Sequence, residues 1–224
     1  MTVPKSHPRY VSLMIRERIV RGVSRGIASP HGLLAHGRGE AFDYLIGEKT
    51  TDRAKLQIKK AAKLLVNAKH PAISVNGNAA SLCPKELVQL AKAIHAPLEV
   101  NIFHPSKARE KKIARWLGRH GAKEVLLPNK GTIKFIDSNR KCCNENGIMK
   151  ADVVFVPLEY GDRGEALARM GRKVISIDLN PMSRTAKAAT INIQDNIVRA
   201  MPLLVGEAER LRDQIHIKHA NGLE

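Results

Sequence analysis

From Pro71 onward, short runs rich in β-branched residues alternate with helical stretches, and this alternation constrains the fold of the 224-residue chain more than any other feature. A strand, a crossover helix and a second strand build a parallel sheet covered on both faces. Residues 72–75, 98–103, 125–127, 152–156 and 174–177 read as strands, with 191–193 as a sixth. Helices are expected over 85–94, where Pro84 suits the first helical position, and over 105–120, closed by Gly121. Two more are expected over 163–170, stopped by Gly171, and over 196–215, with Pro202 as a kink. The third crossover, around 135–146, has the faintest helical pattern.

Upstream, Val11, Ile15, Ile19 and Val23 recur every four residues along a helix over 10–22, whose other face shows Arg18, Arg21 and Arg25. A second helix over 52–68 gathers Ala54, Ile58, Ala61 and Leu65 on one face and leaves Lys55, Lys59, Lys60 and Lys63 to solvent. Between them, residues 26–48 hold five glycines and should bend where other residues would resist. Leu33, Leu34, Phe42 and Leu45 are expected to pack that segment against the sheet. The chain reads as one α/β domain over 1–224, with a helical, glycine-rich segment (1–70) ahead of the sheet-bearing core (71–224).

Composition narrows the partners. Lys and Arg total 38 against 21 Asp and Glu, a formal charge of +17, which points to a polyanion: nucleic acid or a phosphorylated small molecule. The aromatic content of 4% offers few stacking platforms, and no RNA-recognition or helix-turn-helix signature appears, so nucleic acid is the weaker reading. At 43% hydrophobic, the chain has too much apolar side chain for disorder. Cys83, Cys142 and Cys143 fit neither an even disulfide framework nor paired zinc spacing and read as reduced packing residues. No apolar run approaches the roughly 20 residues of a membrane span, and the N-terminus lacks an apolar leader core, so a cytoplasmic location is expected.

In open parallel sheets, ligands bind beyond the carboxyl ends of the strands. After the first strand comes Asn76-Gly77-Asn78; after the second, Asn101 with His104 close behind; after the fourth, Glu159, Asp162 and Arg163. The fifth is followed by Asp178-Leu179-Asn180-Pro181-Met182-Ser183-Arg184-Thr185, which unites a carboxylate, an amide, two hydroxyls and a guanidinium. Such a loop suits a nucleotide: the carboxylate for a ribose hydroxyl or a metal, the hydroxyls and Arg184 for phosphate oxygens. His36-Gly37-Arg38-Gly39-Glu40 sets an arginine between glycines, so that backbone amides also approach an anion. The P-loop, the GxGxxG fingerprint, the GxSxG elbow and the zinc-binding histidine spacings are all absent. Glu159, Asp162 and Glu165 suit Mg²⁺, an amine or simply a solvated helix start.

Several segments together resemble the archaeal phosphopantothenate synthetase family, 4-phosphopantoate:β-alanine ligases. They are His7-Pro8-Arg9-Tyr10; Gly32-Leu33 with His36 through Tyr44; Ser74 through Asn78; Val100 through Phe103; His120-Gly121-Ala122; Ala151 through Val154; Ile177 through Ala186; and Asp195-Asn196-Ile197. Two positions depart from the family pattern: Tyr160 stands where Asp is usual, and Gln194 where an apolar residue precedes Asp195.

The resemblance implies a Rossmann-like homodimer that condenses 4-phosphopantoate with β-alanine, using ATP and Mg²⁺ and releasing AMP and diphosphate in coenzyme A synthesis. It implies ATP contacts at Arg16, Arg38, Asp178, Leu179, Asn180, Arg184, Thr185, Asn196 and Ile197. Arg16, Arg38 and Arg184 would offset repulsion between the acid and the α-phosphate. His104, Glu159 and Asp162 are candidates for the general base, Asn76, Asn78 and Asn101 are candidate substrate-positioning groups, and no residue is assigned to the metal. The rival readings are a nucleic-acid-binding protein using its basic surface and another nucleotide-dependent ligase or kinase on a similar fold.

Overall fold

The computed structural model describes residues 3–158 and 161–220. Strands β1 (Pro71–Val75), β2 (Leu98–Val100) and β3 (Val125–Leu126) form one half of a parallel sheet. The antiparallel pair β4 (Gly131–Thr132) and β5 (Cys142–Cys143) follows as a small separate ribbon. Strands β6 (Val153–Pro157), β7 (Lys173–Ile177) and β8 (Ile191–Ile193) complete the main sheet in the order β3-β2-β1-β6-β7-β8. Counted along the chain, its six strands run 3-2-1-4-5-6, the dinucleotide-binding order, and all neighbours pair in parallel. The order reverses between β1 and β6.

Nine α-helices are described: α1 (Tyr10–Ser24), α2 (Pro30–Leu45), α3 (Asp52–Val66), α4 (Gly77–Leu82), α5 (Pro84–Ala93), α6 (Lys107–Arg119), α7 (Asp162–Arg169), α8 (Arg184–Ala188) and α9 (Ile197–Ala220). Alternation along the strands divides the core. Ile73, Val75, Phe155, Ile175 and Ile177 face Leu65 of α3, Leu87 of α5 and Leu204 of α9. Ala72, Val154, Val156 and Val174 face Leu167 of α7 and the 133–148 insert.

Three local expectations are revised. Residues 26–48 contain the four-turn helix α2, with Pro30 at its start, rather than a freely bent segment. Gly32 serves close approach: a Cβ there would come within 2.2 Å of Asn78 Oδ1, and Asn78 Nδ2 donates to Gly32 O at 2.9 Å. The third crossover is irregular, with one 3₁₀ turn at Asn139–Lys141. Its backbone N–H groups at Asn144 and Ile148 donate to the Glu99 carboxylate at 2.9 and 2.7 Å, where a helix would have satisfied them internally. On α1, Ser12, Ile15, Ile19 and Gly22 make the buried stripe while Val11 is 63% exposed. A Cβ on Gly22 would strike Ser81 of α4, so this face was selected for thinness as well as for apolarity.

Candidate active site

A cleft of about 720 Å³ opens beyond the carboxyl ends of β1, β6 and β7, at the point where the strand order reverses. One wall is α2, carrying His31, His36 and Arg38. The facing wall is the β7–α8 loop with Asp178, Leu179, Asn180, Arg184 and Thr185, and the start of α9 contributes Asp195, Asn196 and Ile197. A Cβ on Gly39 would lie 3.9 Å from Leu179 Cδ1, so the two walls nearly meet at that point.

The facing loop is ordered by its own side chains. Asp178 accepts from Asn180 N at 2.9 Å and from the Ser183 hydroxyl, and Ser183 Oγ in turn accepts from Ala186 N at 3.0 Å, capping α8. Burial pushes the Asp178 carboxyl above the ordinary value for Asp, while the Ser183 hydroxyl and Asn180 N–H pull it back. The Asx-type turn and the nucleotide-binding tool are therefore the same structure, with lone pairs still available on each carboxylate oxygen. Gly161, at φ +99°, leaves room where a Cβ would stand 2.8 Å from that of Arg184.

The α9 start is fixed by a buried network. Arg199 donates to Asp43 of α2 and, at 2.7 and 3.0 Å, to Asp195; Thr50 Oγ1 donates to Asp195 at 2.6 Å; Asn196 Nδ2 donates to Asp43 at 2.9 Å. Asp43, Asp195 and Asn196 are buried. Asn196 Oδ1 accepts from Val198 N at 3.1 Å. The positive end of a long helix is thus held at the cleft, the arrangement that suits an anion. Gln194, the departure from the family pattern, donates to Leu179 O at 3.4 Å and so joins the α9 start to the facing loop.

Asn76 caps α4 by accepting from Ala79 N at 3.0 Å, and its Nδ2 donates to Leu158 O at 2.8 Å and Pro157 O at 3.2 Å, bridging β1 to β6. Asn78 ties α4 to α2, as described above. Both line the cleft, with their amides engaged in holding its walls. His104 lies 4.7 Å from Phe103 and 5.7 Å from His31, ring to ring, placing the β2–α6 loop against α2. Burial holds His36 below the ordinary imidazole value, against the opposing pull of Glu40.

Three expected residues stand elsewhere. Arg16 lies outside the cleft lining, donating to Glu40 at 2.6 and 2.9 Å. Asp162 is also outside it, receiving Arg140 at 3.1 Å and Ser138 at 3.2 Å. Asn101 lines a second, smaller cleft. Glu159, with its neighbour Tyr160, lies outside the described residues.

Arg109 was missed by sequence reasoning. It lines the main cleft, its Nε has no hydrogen-bond partner, and burial lowers its pKa. In sequence it sits among Lys107, Lys111 and Lys112 and reads as one more solvated cation; only its distance from Pro105, one helical turn, hinted at the loop end. Arg38, Arg109 and Arg184 thus approach one cleft from α2, α6 and α8. Arg184 pairs with the half-exposed Glu165 at 2.6 Å, whereas Arg38 has no carboxylate partner among the described residues. The α1 arginine face is partly structural: Arg21 pairs with Glu17, and Arg25 lies over the Trp116 ring at 4.7 Å.

Among the described residues, no group of three or more His, Cys, Asp or Glu side chains is arranged to hold a metal ion. Nor is any described helix long and apolar enough to cross a membrane. The thiols of Cys83 and Cys143 are buried and raised by burial, Cys143 to about 12, which makes them inert packing groups.

Residues 53–221 match a family described as phosphopantothenate/pantothenate synthetase. A 4-phosphopantoate–β-alanine ligase of Thermococcus kodakarensis is 50% identical over 215 residues, covering 95% of this chain and 82% of that protein. The ligase of the same description from Thermococcus onnurineus is 51% identical over 213 residues, 94% of this chain and 82% of that protein. One from Methanosarcina mazei is 47% identical over 212 residues, 95% of this chain and 84% of that protein.

Proposed function

The chain belongs to the phosphopantothenate/pantothenate synthetase family, and from that premise we propose that it is an ATP-dependent ligase condensing 4-phosphopantoate with β-alanine. The products are 4′-phosphopantothenate, AMP and diphosphate, formed through an acyl adenylate in cytoplasmic coenzyme A synthesis. The observation that carries the reading is the approach of three guanidiniums, Arg38, Arg109 and Arg184, on a cleft at the switch point of a dinucleotide-binding sheet.

Each step follows from what those residues do. Attack of the pantoate carboxylate on the α-phosphate brings two anions together, so fixed cations and the α9 N-terminus lower the barrier. Asp178, Leu179 and Asn180 suit the nucleoside; Arg184, Thr185, Asn196 and Ile197 suit its phosphates. Arg38, with no carboxylate partner among the described residues, suits charge as it develops. Arg16 would reach ATP only by leaving Glu40. Mg²⁺ would supply neutralisation of phosphate charge, and Asp178, the cleft carboxylate not held by Arg199, would reach it directly or through water. For the amine step, His104 and His36 are imidazoles of the cleft suited to accept a proton. Val11, Leu34 and Leu45 of α1 and α2, all strongly exposed, support a homodimer.

Incubation with ATP, Mg²⁺, β-alanine and either pantoate or 4-phosphopantoate tests the reading. AMP formed only with the phosphorylated acid is expected. ADP as product, or no turnover with either acid, contradicts it.

A further inference from the structure

The β2–α6 connection separates two clefts, and the first turn of α6 presents a different charge to each. Beside the main cleft, sharing Ile102 with it, is a second of about 250 Å³ lined by residues that include Asn101, Ser106, Lys107, Glu110 and Cys142. Arg109 and Glu110 are consecutive on the first turn of α6: the cation lines the large cleft and the carboxylate lines the small one. Glu110 is 2% exposed, and its Oε2 receives no hydrogen bond; the nearest cation is Lys107 Nζ at 3.5 Å, on a side chain three-quarters exposed. Asn101 is likewise 2% exposed. Its Nδ2 donates to Cys142 O at 2.9 Å, which fixes the amide and leaves Oδ1 with no donor.

A first-turn carboxylate is favourable for a helix in its own right, but an exposed one would serve. Two nearly fully buried acceptor groups, each missing a donor and lining the same small cleft, are costly unless something supplies N–H groups. A protonated primary amine supplies three and a positive charge.

We propose that this second cleft is the amine subsite, where the ammonium of a small amino acid sits against the Glu110 carboxylate and the Asn101 amide oxygen. The inference rests on the ligase reading, which identifies that amine as β-alanine. Glu110 and Asn101 thus order the amine beside the cleft where the acid is activated, and Lys107 competes for the same carboxylate. The segregation also keeps a carboxylate away from the phosphates, which would repel it.

The test separates the two half-reactions. Exchange of pyrophosphate into ATP, dependent on 4-phosphopantoate and measured without β-alanine, reports activation alone; full ligation reports the amine. Glu110→Gln should raise KM for β-alanine about tenfold, the loss of one charge-assisted contact, while leaving exchange at the wild-type rate. An unchanged KM, or exchange and ligation falling by the same factor, overturns the proposal. If Glu110→Gln does not fold, Lys107→Ala decides: removing the exposed competitor should lower KM for β-alanine, and an unchanged or raised KM overturns the subsite. Absence of exchange in the wild-type protein would instead count against the ligase reading itself.

Discussion

The two walls of the main cleft were built in different ways. The β7–α8 loop is ordered within itself: one carboxylate, one hydroxyl and one amide N–H close a turn over six residues, from Asp178 to Ser183. The α2 wall has little internal order of this kind and is held from outside, by Asn78 on Gly32, Arg16 on Glu40, and Arg199 and Asn196 on Asp43. A self-contained loop can lose a side chain and keep its shape, whereas a wall pinned from distant elements depends on its buried pins.

That contrast is most exposed by Arg199→Ala. It leaves Asp43 and Asp195 buried without their countercharge, a loss of about 3–5 kcal/mol by analogy with broken buried pairs. Chemical denaturation should register the destabilisation, and ATP affinity should fall with it as α2 and the α9 start separate. A stability unchanged within error would mean that α2 is not pinned there.

Arg184→Ala is the complementary change on the self-ordered wall. Its guanidinium is largely exposed, and among the described residues its carboxylate contact is the surface pair with Glu165, so the fold should be indifferent. ATP binding should weaken by about 1.5–3 kcal/mol through the lost contact to phosphate. Calorimetric titration of the variant with ATP measures this, and an affinity equal to wild type would remove Arg184 from the site.

A pH-dependent effect concerns the sheet beneath the clefts. Glu99 lies in β2, fully buried, and burial pushes its carboxyl up to about 7, although two backbone N–H groups and Arg163 partly offset the rise. The folded state therefore binds its proton more tightly than the unfolded chain does. Stability contributed by that proton is complete below the unfolded value near 4.5 and is lost as pH rises through about 7. Urea unfolding of the wild type should show stability declining over that window, more than in Glu99→Gln; equal slopes would locate the titration elsewhere.

Legibility in the sequence followed the same division. The six strands of the main sheet and the Asp178–Thr185 loop were readable because short-range signals determine them: β-branched runs, then a turn whose acceptor lies two and five residues from its donors. Helix α2 was not, because its three glycines cost about 1 kcal/mol each in an isolated helix, and the one contact that demands a glycine, Gly32 against Asn78, comes from a distant element. The 133–148 insert was opaque for a related reason, since Glu99, some 45 residues away in sequence, satisfies its backbone. Arg109 was hidden by its lysine neighbours, and the partnerless state of Asn101 and Glu110 exists only in three dimensions. Long-range pinning leaves no local pattern, and the parts of the site that depend on it were the parts missed.

The central claim is that one cleft activates an acid with ATP before any amine is engaged. The most direct measurement follows labelled pyrophosphate into ATP with Mg²⁺ and 4-phosphopantoate present and β-alanine withheld. The account predicts exchange with 4-phosphopantoate and none with pantoate; exchange that appears only when β-alanine is added, or with neither acid, would contradict it.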